Sequence, residues 1–155
     1  MPRWINNSIA VASCIFIMIL IVSAILMPQL SILHFLQALV YIAIILLTFR
    51  KSPWGYGIAM FIAIAWNCLN LFITHIFEAG AKQFWLVITS GHLNQPVALT
   101  VFIGSISHFI IIFCCIFWFI RLRPTKKQWV QFFSGGLIVL LYMVLIIIVA
   151  APHSH

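Results

Sequence analysis

Acidic side chains are all but missing. Glu78 is the only Asp or Glu in 155 residues, against eight Lys and Arg. Charged residues of both signs make up 6% of the chain, where a soluble domain carries about 25%. A chain with so little charge cannot cover an ordinary soluble surface or stay disordered. Cysteines number four and form no C-x-x-C pair, which excludes a disulfide-rich fold and removes the zinc and thioredoxin-like readings. No internal repeat is visible, so the paired-repeat plan of alternating-access transporters is not expected. What fills the chain instead is apolar: hydrophobic residues reach 65% and mean hydropathy is +1.23. The solvent for most of this surface is lipid.

A helix needs about 20 mostly apolar residues to cross a hydrocarbon core of about 30 Å. Five segments qualify, at 5–27, 30–49, 54–77, 97–120 and 129–151. The first two are almost continuous. As one helix, 5–49 would be about 67 Å long at 1.5 Å per residue, too long for a single crossing. Pro28 is the natural break, because proline removes a backbone donor and disfavours helix in the residue before it. Between the third and fourth spans, 79–96 contains Phe84–Trp85–Leu86–Val87–Ile88 and is expected to lie in the membrane interface as an amphipathic or re-entrant piece.

The net charge of +7 would suggest nucleic acid in a soluble protein. Sorted by loop, it reads as topology. Arg3, Arg50, Lys51, Arg121, Arg123, Lys126 and Lys127 fall on one side of a five-span chain, and only Lys82 falls on the other. Basic residues collect on the cytoplasmic side, so the expected fold is an all-α polytopic transmembrane bundle with its N-terminus cytoplasmic and its C-terminus outside. The membrane would be a plasma or bacterial inner membrane. The partners would be the bilayer and other membrane subunits or a second copy, with no nucleic acid. Trp4, Trp54, Tyr56, Trp118 and Trp129 land at the cytoplasmic boundary, where amphipathic rings prefer to sit. Arg3, an apolar run and Val22–Ser23–Ala24 resemble a signal peptide, but the run exceeds the usual h-region length and a retained first span is expected. Cys14, Cys68, Cys114 and Cys115 are expected to pack as small apolar residues, with palmitoylation of the Cys114–Cys115 pair as a weaker reading.

Polar groups inside a bilayer are costly, so their placement carries the functional signal. At about 100° per residue, Asn67, Asn70, Thr74 and Glu78 share one face of the third span, with His75 beside them. Below them Gly55, Ala59 and Ala63 form a small-residue stripe that admits a neighbouring backbone. His34, Gln37 and Tyr41 share a face of the second span. Thr100, Gly104, Ser107 and His108 share one of the fourth. All three sets lie in the outer half, above a nearly apolar inner half. The expectation is a polar pocket among spans two, three and four that opens outward, with spans one and five as scaffold.

Three functions compete for that pocket. The first is a non-catalytic subunit or binding protein that holds a lipid, quinone or small apolar ligand, with His34, Gln37, Tyr41, Asn67, Asn70, Thr74 and Ser107 in contact. The second is an enzyme acting on a lipid-like substrate, with His75, Glu78 and His108 supplying acid–base chemistry. The third is a b-type haem or metal site ligated by His34 and His75. The plainer reading of Asn67, Asn70, Ser105 and Ser107 is hydrogen bonding between helices, worth about 0.6 kcal/mol each. No cofactor follows from the residues, and no dedicated metal-ligand set is expected.

Overall fold

The structure, a computed structural model, describes residues 3–150. Six helices follow in order: α1 (Arg3–Leu26), α2 (Ser31–Phe49), α3 (Pro53–Cys68), α4 (Ile76–Ser90), α5 (Pro96–Leu122) and α6 (Lys126–Ala150). Five stretches are long and apolar enough to cross a membrane: α1, α2 with the turn before it, α3 with the turn after it, α5 and α6. The tail, with the end of the expected fifth span at 151, lies outside the described residues.

The breaks follow backbone chemistry. Pro28 ends the first helix and starts a tight 3₁₀ turn, Pro28–Leu30, that returns the chain into α2. Pro53 and Pro96 open α3 and α5, where proline's missing N–H costs nothing. Arg123, at φ 45°, stops α5 in the left-handed conformation immediately before Pro124.

α3 packs most extensively on α6 and also touches α5 and α2, while α1 lies against both α2 and α5. The close α3–α6 approach rests on glycine. A methyl on Gly57 would overlap the Phe132 carbonyl, and one on Gly135 would stand 2.7 Å from the Trp54 carbonyl oxygen. The stripe at Gly55, Ala59 and Ala63 is buried as expected, with Gly55 against Leu47 and Thr48 of α2. Outward, the surface is apolar: Val11, Ile25, Phe35, Leu46, Ile120 and Ile148 are all exposed. Such a surface is stable against lipid and would be costly in water.

Three expectations need correction. The third span does not run to 77. It closes in a π-helical turn, Leu69–Ile73, in which the Thr74 N–H donates to the Leu69 carbonyl at 2.9 Å. His75 then turns left-handed at φ 52°, and α4 begins at Ile76. The polar face of the third span is therefore divided. Asn67 and Asn70 stay inside the bundle, Thr74 and His75 are exposed, and Glu78 rides on a separate helix. The piece expected at 79–96 is a regular helix, α4, that starts earlier and pairs with α5.

The second correction concerns the aromatic boundary. Trp118 and Tyr56 belong to the core, stacked at 4.2 Å between ring centroids, with the Tyr56 hydroxyl donating to Asn6 Oδ1 at 2.6 Å. Both rings face the bundle interior and not its surface. Cys114 and Cys115 are likewise buried, which leaves no access for an acyl donor, whereas Cys14 and Cys68, expected to be buried too, are exposed on the outside of the bundle. The third concerns α1. It is more than scaffold, because Phe16 places its ring 4.2 Å from His108 and 4.5 Å from Tyr41 at the centre of the bundle.

Candidate functional site

The polar residues of the spans sort into two groups. Inside the bundle many pair with one another or with a backbone carbonyl, while Ser13 Oγ, His34 Nε2, Asn67 Oδ1, His108 Nδ1 and Trp118 Nε1 are buried without a partner. Tyr41 Oη and His108 Nε2 share a 2.6 Å hydrogen bond between α2 and α5, and both residues are fully enclosed. Asn67 donates to the Ser105 carbonyl at 3.3 Å, and Asn70 donates to Ser105 Oγ at 3.5 Å, which fastens α3 to α5. His34 and Gln37 contact each other along α2 at 3.4 Å. Ser107 returns its hydroxyl to the Gly104 carbonyl of its own helix at 2.7 Å. Tyr142 donates to the Leu36 carbonyl at 3.0 Å, so α6 is tied to α2 as well. The contacts of Tyr41, Asn67, Asn70 and Tyr142 join helices, whereas those of His34 and Ser107 stay within their own helix. Each polar atom so paired avoids the cost of standing alone in a low-dielectric interior.

The second group surrounds a recess at the end of the bundle where α3 gives way to α4. Its volume is about 550 Å³, and His75, Glu78, Lys82, Asn94, Gln95 and Leu86 line it together with Ala79 and Gln83. Spacing explains most of the arrangement: 78, 82 and 86 step by four along one side of α4, which supplies a carboxylate, an ammonium and an apolar floor, and the left-handed His75 at the head of the helix adds an imidazole. The opposite wall is the tip of the α4–α5 hairpin.

Gln83 fixes that tip. It is buried, donates Nε2 to the His92 carbonyl at 2.9 Å, and accepts at Oε1 from the N–H groups of Asn94 at 3.2 Å and Gln95 at 2.9 Å. Gly91, at φ 71°, supplies the left-handed residue that ends α4. Below the tip, Gly80 lets α4 lie directly on Ala98, and Phe77 packs on Phe102 at 5.1 Å. α5 is 27 residues long, about 40 Å at helical rise, while the hydrocarbon core is about 30 Å thick. The surplus length matches a hairpin standing at headgroup level. Exposed Phe84, Trp85 and Ile88 on α4 suit that depth.

We expect Gln83→Leu to release the hairpin tip. Three hydrogen bonds and a buried amide are lost, a local cost of about 1–3 kcal/mol. Hydrogen–deuterium exchange at 92–95 should then accelerate while the amides of α1 and α2 keep their rates.

Of the residues singled out from sequence, His75 and Glu78 meet in this recess. His108 does not line it and stands in the core against Tyr41 and Phe16. His34 is buried on α2 against Gln37, whereas His75 is exposed at the head of α4. Among the described residues no group of three or more His, Cys, Asp or Glu could hold a metal ion. Gln83 and Asn6 were not anticipated. Gln83 lay in a segment read as loop, where no face could be assigned to it. Asn6 lies one turn inside the first span, and its partner is fifty residues away.

Fold and recess together define the class: an all-helical, multi-pass bundle with five helices long and apolar enough to span a membrane. No protein-family model matches the chain, and neither a curated protein nor a solved structure does so.

Proposed function

We propose that this is a small non-catalytic subunit or binding protein of a plasma or bacterial inner membrane. Its recess beside α4 faces the extracytoplasmic side and holds the polar head of a lipid-like amphiphile. The observation that carries this reading is the meeting of His75, Glu78 and Lys82 in one 550 Å³ recess with an apolar floor. A carboxylate, an ammonium and two side-chain amides offer donors and acceptors to a zwitterionic head, and the exposed apolar side of α4 offers a path for its tail. The ligand belongs against α4 because His75, Glu78 and Lys82 line an open recess there, whereas Tyr41 and His108 are closed on each other in the core. The orientation rests on charge, with seven basic residues at the far end of the bundle and Lys82 alone at this one. The partners are the bilayer itself and other membrane subunits or a second copy.

The test is a titration of the detergent-purified protein with a short-chain phosphatidylethanolamine bearing a fluorophore on its acyl chain. Saturable binding is expected. Glu78→Gln with Lys82→Gln should weaken it at least about tenfold, or 1.4 kcal/mol. Unchanged binding in that double variant would remove the recess from the account.

A further inference from the structure

At the opposite end of the bundle a second feature is unused by this reading. A groove of about 260 Å³ runs between α3, α5 and α6, lined by Met60, Ile64, Ile116, Ile120, Trp129 and Phe133 among others, with no polar lining. It opens on the outside of the bundle, since Ile120, Trp129 and Phe133 are all exposed. Both of its longer walls run on into positive charge. On α5, positions 116 and 120 lead toward Arg123, the left-handed residue that ends the helix. On α6, Trp129 is preceded one turn earlier by Lys126.

The connection from 121 to 127 holds Arg121, Arg123, Lys126 and Lys127 with no acid among them, and the one acidic side chain, Glu78, lies in the recess at the other end. Arg121 is occupied, its guanidinium 5.2 Å from the Phe117 ring centroid. Among the described residues no acidic side chain pairs with Arg123 or Lys126. The start of α6 is set by a reciprocal capping arrangement. There the Thr125 N–H donates to Gln128 Oε1 at 2.9 Å and the Gln128 N–H donates to Thr125 Oγ1 at 3.4 Å. The positive end of a 25-residue helix therefore points at the same place.

We propose that this end of the bundle binds an anionic phospholipid, with an acyl chain in the α3–α5–α6 groove and the phosphate held by Arg123 and Lys126. The two halves of the site match the two halves of the ligand. An apolar slot open to the bilayer takes a chain, and at its basic end Arg123 and Lys126 take the phosphate. A basic connection alone would follow from topology. A basic connection that continues the walls of a chain-sized groove is a lipid site. The inference does not depend on the recess at the other end or on which face is cytoplasmic.

The test is native mass spectrometry of the full chain in detergent with equal amounts of palmitoyl-oleoyl phosphatidylglycerol and palmitoyl-oleoyl phosphatidylcholine. The wild type should retain phosphatidylglycerol several-fold over phosphatidylcholine. Arg123→Gln with Lys126→Gln should bring the two lipids level. Arg50→Gln with Lys51→Gln removes the same charge from the same end of the bundle and should leave the preference intact. Ile116→Trp fills the groove and should lower retention of both lipids. Equal retention by the wild type would overturn the proposal, as would a preference that survives loss of Arg123 and Lys126. An equal loss in the Arg50 and Lys51 variant would mean unspecific attraction and would also overturn it. Retention unchanged by Ile116→Trp would remove the groove from the site.

Discussion

Gly57→Val is expected to lower the unfolding free energy by about 3 kcal/mol or more, at or above the upper end of what overpacking costs. Gly57 faces the backbone of Phe132 with no room for a Cβ, and the obstacle is a carbonyl on a helix, not the end of a side chain that could swing away. Relief requires α3 and α6 to separate, and this is the most extensive helix pair in the bundle. Separation would also pull Trp54 from Gly135, and Phe61 from Gly136, whose added Cβ would stand 2.5 Å from the Phe61 ring. Gly91→Ala is the control. Nothing lies within 4 Å of its missing Cβ, and only the φ of 71° opposes the change, at about 1 kcal/mol. Thermal unfolding followed by size-exclusion fluorescence should show loss of the monodisperse species for Gly57→Val and a small shift for Gly91→Ala. Equal effects would mean that the α3–α6 contact is looser than described.

His108→Ala should cost about as much, on the order of 3 kcal/mol, for a different reason. It empties a site enclosed by Phe16 and Tyr41 and leaves the buried Tyr41 hydroxyl without its partner at 2.6 Å. Tyr41→Phe removes only the hydroxyl and should cost about 1 kcal/mol, in keeping with hydrogen bonds measured between membrane helices. The double variant, Tyr41→Phe with His108→Leu, should be more stable than the sum of the two single changes predicts, because neither partner is then left unpaired. A coupling of about 1 kcal/mol in that cycle would mark the pair as a fastening between α2 and α5. Titration with the fluorescent phosphatidylethanolamine should be unaffected in any folded variant of the pair. If binding fell with Tyr41→Phe while stability held, the core and not the α4 recess would be the ligand site.

The sequence laid out the crossings because length and apolarity decide them, and the proline at 28 divided the first two without help from tertiary structure. Facing was harder. In lipid both sides of a helix are apolar, so the hydrophobic periodicity that orients a helix in a soluble protein fades. Small and polar residues then mark the interior. Gly55, Ala59 and Ala63 did so, as did Asn67, Tyr41 and His108, all of which are buried. Trp118 was assigned to the boundary although Ile111 and Cys115, seven and three residues earlier on the same face, are buried with it. That spacing was a usable signal.

The break after Ile73 was not legible. Neither glycine nor proline stands there, and His75 adopts its left-handed turn at a cost repaid only when α4 folds onto α5. Phe77 then meets Phe102 and Gly80 meets Ala98. Half of the recess was visible as the i, i+3 and i, i+4 relations of His75, Glu78 and Lys82. The other half was invisible, because it depends on Gln83 holding a loop whose position the sequence does not encode locally.

We propose that the recess beside α4 faces the outside while the basic connections face the cytoplasm. The chain's four lysines make a direct test: Lys82 lies on the recess, and Lys51, Lys126 and Lys127 lie at the other end. Intact cells would be treated with a membrane-impermeant N-hydroxysuccinimide ester and the protein digested for mass spectrometry. Acylation confined to Lys82 is the predicted result. Acylation of Lys126 and Lys127 with Lys82 protected would invert the molecule in the membrane and contradict the account.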